Sequence, residues 1–203
     1  MGKKETGTLI IEDDYDSEYR YVGPKVYALA GLDSSGRVIY VGSFSKILFP
    51  ALRIGYAILP PSIIEPFLAI KWITDRRSPT LEQEALADFI QSGQYAKHVS
   101  QMGKLYASRR ACLVNALDQE FGDRVHYFGD EAGLHLLIEL DSMANEELIA
   151  KRAMQYGTKI YPASDYYIDS KPSKATFLLG YSNLSESQIR TGIKLVARAE
   201  QEC

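Results

Sequence analysis

The chain opens with short apolar runs that each stop at polar residues. Thr8 to Ile11 is β-branched and apolar and ends at Glu12-Asp13-Asp14. Such a run is the pattern of a buried parallel strand, and the carboxyl end of that strand is where open α/β sheets hold ligands. Val38 to Val41 repeats the pattern and ends at Gly42-Ser43, and Ile54 to Leu59 forms a third run closed by Pro60-Pro61. The sequence thus predicts three buried strands whose connections are too short for many long crossover helices.

The period then lengthens. Ser62-Ile-Ile-Glu65 has capping-box spacing with Pro66 still in the first turn, and Thr80-Leu-Glu-Gln83 is a second such box, opening a helix that ends at Gly93. Val99, Met102, Leu105, Tyr106, Arg109 and Leu113 recur at helical spacing, predicting one amphipathic helix from Gln94 to Phe121. After Gly122, strands are expected at Val125–Phe128, Leu134–Leu140, Lys159–Tyr161 and Thr176–Tyr181. Helices are expected at Asn145–Tyr156 and from the Ser185-Glu-Ser-Gln188 box to Ala199. That β-β-α-β-β-α order suits a small α+β domain. The expected division is 1–105 and 106–203, with the join inside the long helix.

Composition narrows the function classes. With 23 Lys and Arg against 26 Asp and Glu, the net charge of −3 gives no general attraction for nucleic acid or an anionic membrane. The 14 Tyr, 7 Phe and single Trp exclude disorder for the bulk of the chain. Cys112 and Cys203 are too few and too far apart for a disulfide framework or a cysteine zinc site, which favours a reducing, cytoplasmic setting. Met1-Gly-Lys-Lys-Glu5 has no apolar stretch after its lysines, so it does not read as a secretory signal. The most apolar stretch, Ile47 to Ile73, carries Arg53, Glu65 and four prolines, so it reads as strand and helix rather than a membrane span.

The candidate chemistry lies where the strands end. Ser43-Phe44-Ser45-Lys46 follows the second strand, where hydroxyls and backbone N–H groups can converge on a phosphate. Lys46 is a candidate amine nucleophile, and Arg53 is a guanidinium able to grip a phosphate bidentately. Asp13, Asp14 and Asp16 cluster with Tyr15 at the end of the first strand. As a calcium loop the cluster lacks the glycine and distal glutamate of an EF-hand. A carboxylate, an amine, two hydroxyls and an arginine in one cleft suit pyridoxal phosphate. The carboxylate would keep the pyridine nitrogen protonated, the lysine would hold the aldehyde, and Tyr15 would donate to the ring oxygen. A serine-nucleophile reading of S-x-x-K needs S-D-N and K-T-G partners that are not found. The histidines, His98, His126 and His135, have no carboxylate or histidine at ligand spacing along the sequence, so no metal site is expected.

Glu12-Asp-Asp-Tyr-Asp-Ser-Glu18, Tyr40-Val-Gly-Ser-Phe-Ser-Lys46 and Phe49-Pro-Ala-Leu-Arg-Ile-Gly-Tyr56 resemble class I/II, fold-type I aminotransferases. The resemblance is greatest to the aminotransferase-like domain of MocR/GabR-type regulators of the GntR family, and it covers essentially the whole chain. It implies an α/β fold: the C-terminal part of the fold-type I pyridoxal-phosphate-dependent transferase, with a partial large-domain sheet plus a small α+β domain. By resemblance Lys46 is the Schiff-base lysine, Asp13 the partner of the pyridine nitrogen and Tyr15 the O3′ donor. Ser43, Ser45 and Arg53 lie on the phosphate side, while Asp14 and Asp16 are neighbours rather than cofactor ligands. The cofactor implied is pyridoxal 5′-phosphate, and the partners are an amino acid or other small amine and a second subunit in a homodimer of the intact protein.

The chain starts at the strand carrying Asp13, so it reads as a fragment about half the length of such a unit, without the regulators' winged helix. An arginine for a substrate carboxylate is expected where Leu178 stands; Lys171 and Lys174 nearby are point charges, not forks. The expected function is therefore a truncated effector-sensing domain. The alternative is a fragment of a catalytic aminotransferase working through Lys46.

Overall fold

The computed structural model describes residues 8–76, 79–129, 131–168 and 172–203. The chain forms two compact units. One comprises the residues up to Ser17 together with Pro24–Ser100, the other Glu18–Gly23 with Gln101–Cys203. The long helix changes unit between Ser100 and Gln101, where the sequence placed the join at 105/106.

The first unit contains β1 (Ile10–Asp14), the short α1 (Leu29–Leu32), β2 (Val38–Ser43), β3 (Gly55–Ile58), α2 (Pro61–Thr74), α3 (Thr80–Gln91) and the start of α4 (Gln94–Phe121). Its sheet has the order β1-β2-β3. β1 runs parallel to β2 from Ile10 opposite Val38 to Asp14 opposite Gly42. The strand therefore continues through the acidic residues at which the apolar pattern stops. Backbone pairing is indifferent to side-chain polarity when the side chains stand off the sheet. β3 is antiparallel to β2, with Ser43 opposite Gly55. The connection between them is too short for the crossover a parallel strand needs.

These strands are not buried as expected. Ile11 is 71% exposed, and every residue of β3 is exposed. Two of the expected capping boxes are also absent. α2 starts at Pro61 behind Pro60, and α3 starts at Thr80 behind Pro79, neither with a side-chain cap. For α2, proline's fixed φ favours the first helical position, so the prolines set the start one residue before Ser62 could cap. α3 ends as expected, with Gly93 in the left-handed region that closes a helix.

The second unit adds β4 (Val125–Phe128), β5 (His135–Leu140), α5 (Glu146–Gln155), β6 (Tyr161–Pro162), β7 (Ala175–Gly180) and α6 (Glu186–Gln201). Its sheet is antiparallel throughout, in the order β4-β5-β7-β6, and the β-β-α-β-β-α succession is the expected one. Alternate residues of β5, Leu136, Ile138 and Leu140, are buried with Phe177 of β7, Leu117 of α4, Ile149 of α5 and Val196 of α6. The third capping box is real. Ser185 Oγ accepts from the Gln188 N–H while the Gln188 side chain accepts from the Ser185 N–H. Glu146, in the first turn of α5 and only 8% exposed, accepts from the N–H groups of Ser164 and Thr176 at 3.0 and 3.1 Å. That joins the helix to β7 and to the 3-10 turn Ala163–Tyr166. No helix among the described residues is long and apolar enough to cross a membrane.

Candidate functional site

Strand directions decide what meets in the first unit. β1 and β2 are parallel, so their carboxyl ends share one end of the sheet. The antiparallel β3 brings its amino end to the same place. Asp13 sits opposite Val41 near the end of β1, and Ser43 is the last residue of β2. The chain then makes a tight turn in which Leu48 N–H donates to Phe44 O at 2.9 Å. Within it the Ser45 N–H donates to Ser43 Oγ at 3.2 Å, and Lys46 is exposed. Next to Lys46, Ile47 is buried, and its carbonyl lies 2.9 Å from His98 Nε2 on α4. The turn bearing Lys46 is thus pinned through Ile47, and Lys46 itself is exposed.

Arg53 follows a 3-10 turn at Pro50–Leu52 with φ of 52°, in the left-handed region. The neighbouring carbonyl, that of Ile54, accepts from Phe44 N–H at 3.1 Å, so the strained residue is clamped to the turn that carries Lys46. Beside Arg53 lies an open cavity of about 340 Å³ walled by Tyr56 of β3 and by Gln83, Leu86 and Ile90 of α3. Tyr15 stands just past β1, half-exposed. The charges of Asp16 and then, with burial, of Asp13 push its hydroxyl pKa up, so it remains a proton donor. The fold therefore gathers Asp13, Tyr15, Ser43, Ser45, Lys46 and Arg53 at one end of one sheet.

The partners that hold Asp14 and Gly42 here, Ser17, Tyr40 and Tyr56, were not singled out from the sequence. Asp14 accepts from Ser17 Oγ and from Tyr40 Oη, both at 2.6 Å. Burial raises its carboxyl pKa, and the hydrogen bonds from Ser17 and Tyr40 outweigh that, leaving it below the ordinary value. The same environment pushes the Tyr40 hydroxyl well up, through burial first and then the bonds to Asp14 and Tyr56. The Tyr56 ring lies over Gly42 so closely that a Cβ there would fall 2.3 Å from a ring carbon. Glycine is required at 42 for that approach. The spacing of Tyr40 and Gly42 on one strand face carried the signal.

One cluster lies beyond what spacing along the sequence reaches. His126 does have carboxylates within ligand reach. Glu139, directly opposite it on β5, and Asp141 bring their ligand atoms within 4.8 Å of its own and of each other. Cross-strand register, not sequence spacing, puts them together. Lys174 ion-pairs with both carboxylates, at 2.9 and 2.8 Å. Lys171 lies outside the described residues. Leu178, where an arginine was expected, faces Leu137 and Tyr161 in the sheet register.

A family description, "Aminotransferase class I and II", matches residues 4–194. The chain belongs to the class I and II aminotransferases. Within that family it is 42% identical over 195 residues to an uncharacterized HTH-type transcriptional regulator, YhdI, of Bacillus subtilis, covering 96% of this chain and 41% of the relative. It is 37% identical to the probable rhizopine catabolism regulatory protein MocR of Rhizobium meliloti, covering 94% of this chain and 38% of that protein. Among solved structures, the kynurenine aminotransferase of Pyrococcus horikoshii, in complex with PMP, matches 96% of this chain and 48% of its own with a TM-score of 0.85 and 31% identity. The fold is that of the aminotransferases' C-terminal part, and the chain spans about two fifths of the length of those curated regulators.

Proposed function

We propose that this aminotransferase-family chain carries a pyridoxal 5′-phosphate site at the carboxyl end of β1 and β2. In this reading it is part of an effector-sensing domain of a MocR/GabR-type regulator that recognises an amino acid or other small amine. The observation that carries the reading is the convergence described above. A carboxylate, a phenol, two hydroxyls, an exposed amine and a guanidinium stand at or just past one sheet end, and their chemistry would suit each part of the cofactor. The regulators among its relatives support the sensing half of the reading.

Asp13 would face the ring nitrogen and keep it protonated. Tyr15, held as a donor by its acidic neighbours, would hydrogen-bond the ring oxygen. Ser43, Ser45 and Arg53 would hold the phosphate, Arg53 from a backbone conformation fixed by the turn. Lys46 would offer the amine that holds the cofactor aldehyde and moves a proton when an incoming amine takes its place. Bound there, the cofactor supplies an electron-sink ring and a carbonyl that exchanges with amines. A homodimer and a cytoplasmic setting belong to the same reading.

The test is to add pyridoxal phosphate to the chain, reduce with borohydride and map the modified lysines by peptide mass spectrometry, with Lys46→Ala as control. Labelling concentrated on Lys46 is expected. Labelling scattered over surface lysines, or unchanged in the variant, overturns the site for this chain. A second reading, part of a catalytic aminotransferase, is favoured by the 30% identity to aromatic-amino-acid aminotransferase 1 of Thermococcus litoralis. Turnover of an amino acid with a 2-oxo acid by the loaded chain would support it. A spectral response to an amine without turnover supports sensing.

A further inference from the structure

The segment Glu18–Gly23 leaves the first unit immediately after Tyr15-Asp16-Ser17, packs wholly within the second, and returns at Pro24. Its anchoring is dense for six residues. Tyr19 is 1% exposed and meets the Tyr106 ring of α4 edge-on, with centroids 4.9 Å apart. The backbone of Tyr19 and Tyr21 exchanges bonds with the loop before β5: Gly133 N–H donates to Tyr19 O and Tyr21 N–H donates to Glu131 O, both at 2.8 Å. Tyr21 Oη donates to Gly133 O at 2.8 Å, and Arg20 ion-pairs with Glu131 at 2.7 Å. Gly23, at φ of +81°, turns the chain out again against the Arg20 guanidinium. At the other end, Asp14 receives both the N–H and the hydroxyl of Ser17 while it holds Tyr40 on β2.

We propose that Glu18–Gly23 is a strap that couples the C-terminal unit to the cofactor end of β1, with Asp14 as its clasp and Arg20 and Tyr21 as its anchors. Only Asp16 and Ser17 separate Tyr15 from the strap, too few residues to absorb a displacement as slack. A shift of the C-terminal unit that pulls on the strap is therefore delivered at Tyr15 and Asp13. The clasp fixes the point of delivery, because the Ser17 and Tyr40 hydroxyls both donate to Asp14 Oδ2, so a pull on Ser17 acts on the carboxylate that also holds β2. These are positioning residues and touch no cofactor. The proposal rests on the cofactor reading of Asp13 and Tyr15 for its functional meaning, but the coupling itself can be measured without cofactor.

The experiment is amide hydrogen exchange by mass spectrometry on the full chain and on Tyr21→Phe, Arg20→Ala and the control Tyr127→Phe. The control also loses a tyrosine hydroxyl bond in the second unit, away from the strap. Losing one strap bond is expected to speed exchange about fivefold at residues 10–17 as well as at 18–23, with β3, which pairs only with β2, unchanged, the factor for a hydrogen bond of typical net worth. The control leaves residues 10–17 as they were. Tyr21→Phe is the mildest variant and stands in if Arg20→Ala does not fold. Faster exchange confined to 18–23, or the same rise at 10–17 in the control, overturns the strap. A parallel arm measures pyridoxal phosphate affinity, expected to weaken about fivefold in Tyr21→Phe with labelling still on Lys46. Absence of Lys46 labelling in the unaltered chain would count against the cofactor site alone, and the exchange result would still decide the coupling.

Discussion

The two units spend similar apolar residues very differently. In the second, Phe177, Leu117, Ile138, Ile149 and Tyr181 are all but completely buried in one cluster drawn from α4, β5, α5, β7 and the residue after it. In the first, α2 presents Phe67, Leu68, Ile70, Trp72 and Ile73 to solvent and buries no residue at all, and the outer strand β1 exposes Ile10 and Ile11. Burial contributes about 25 cal/mol per Å² of apolar surface, so only the second unit draws its stability from a closed core of its own. The first holds its site residues mainly by backbone pairing, turns and the Asp14–Tyr40 contact. The difference teaches that the sheet bearing the candidate site residues keeps its strand register with little packing of its own, while the second unit builds its elements around a closed core.

The largest expected effect tests that contrast directly. Phe177→Ala in the second unit should cost about 3–5 kcal/mol, since the truncated side chain leaves a cavity among buried neighbours. Ile73→Ala on α2 should stay within about 0.5 kcal/mol, as surface substitutions do. Urea unfolding of both variants checks it. Equal costs would mean that α2 is covered in solution and would break the comparison.

The same contrast explains what the sequence could reveal. Where a residue's pattern has one cause, it was legible. The 28-residue α4, the Ser185–Gln188 box and the strand-helix order of the second unit follow from periodicity and capping alone. The positions of the six candidate site residues at strand ends and turns were legible, because the sequence puts them near one another. What escaped depends on partners distant in the chain. The antiparallel direction of β3, the cross-strand meeting of His126 with Glu139 and the capture of Glu18–Gly23 by the second unit all require register or topology. The exposure of β1 escaped for a different reason. An apolar run states what the residues prefer, while burial depends on whether anything covers them.

A middling effect sharpens the comparison through the backbone. Every described non-glycine residue in the left-handed region, Arg53 and Arg76, lies in the first unit beside Gly36 and Gly93, whereas the second uses glycine alone there, at Gly23, Gly122, Gly129, Gly133 and Gly157. An L-residue in that region is strained, and glycine relieves it at some entropic cost, so Arg53→Gly and Arg76→Gly should each stabilise the first unit by up to about 1 kcal/mol. They should differ in ligand binding. Arg76→Gly leaves pyridoxal phosphate affinity unchanged, and Arg53→Gly lowers it, because the guanidinium that grips the phosphate is lost. Thermal unfolding with and without pyridoxal phosphate reads both. Equal affinity in the two variants would remove Arg53 from the phosphate side.

The smallest effect separates the units by the kind of partner that holds a carboxylate. Asp14 in the first unit and Asp141 in the second both titrate below the ordinary 3.8. For Asp14, burial pushes upward and hydroxyl and N–H donors from Ser17 and Tyr40 prevail; for Asp141, the bond from Lys174 leads and that from His126 follows. A lowered folded-state pKa means that the stabilisation is complete above the unfolded value, near pH 3.8, and is lost as pH falls through the lower folded value. Neutral donors carry no net charge to screen, whereas the exposed Lys174–Asp141 pair is weakened by salt. Carboxyl-carbon NMR titration at about 0.05 M and about 0.5 M sodium chloride, where the screening length shortens severalfold, should move the Asp141 midpoint up toward 3.8 and leave that of Asp14 in place. A salt-sensitive Asp14 would mean that a charge rather than the Tyr40 and Ser17 hydroxyls holds the end of β1, and the clasp would lose its basis.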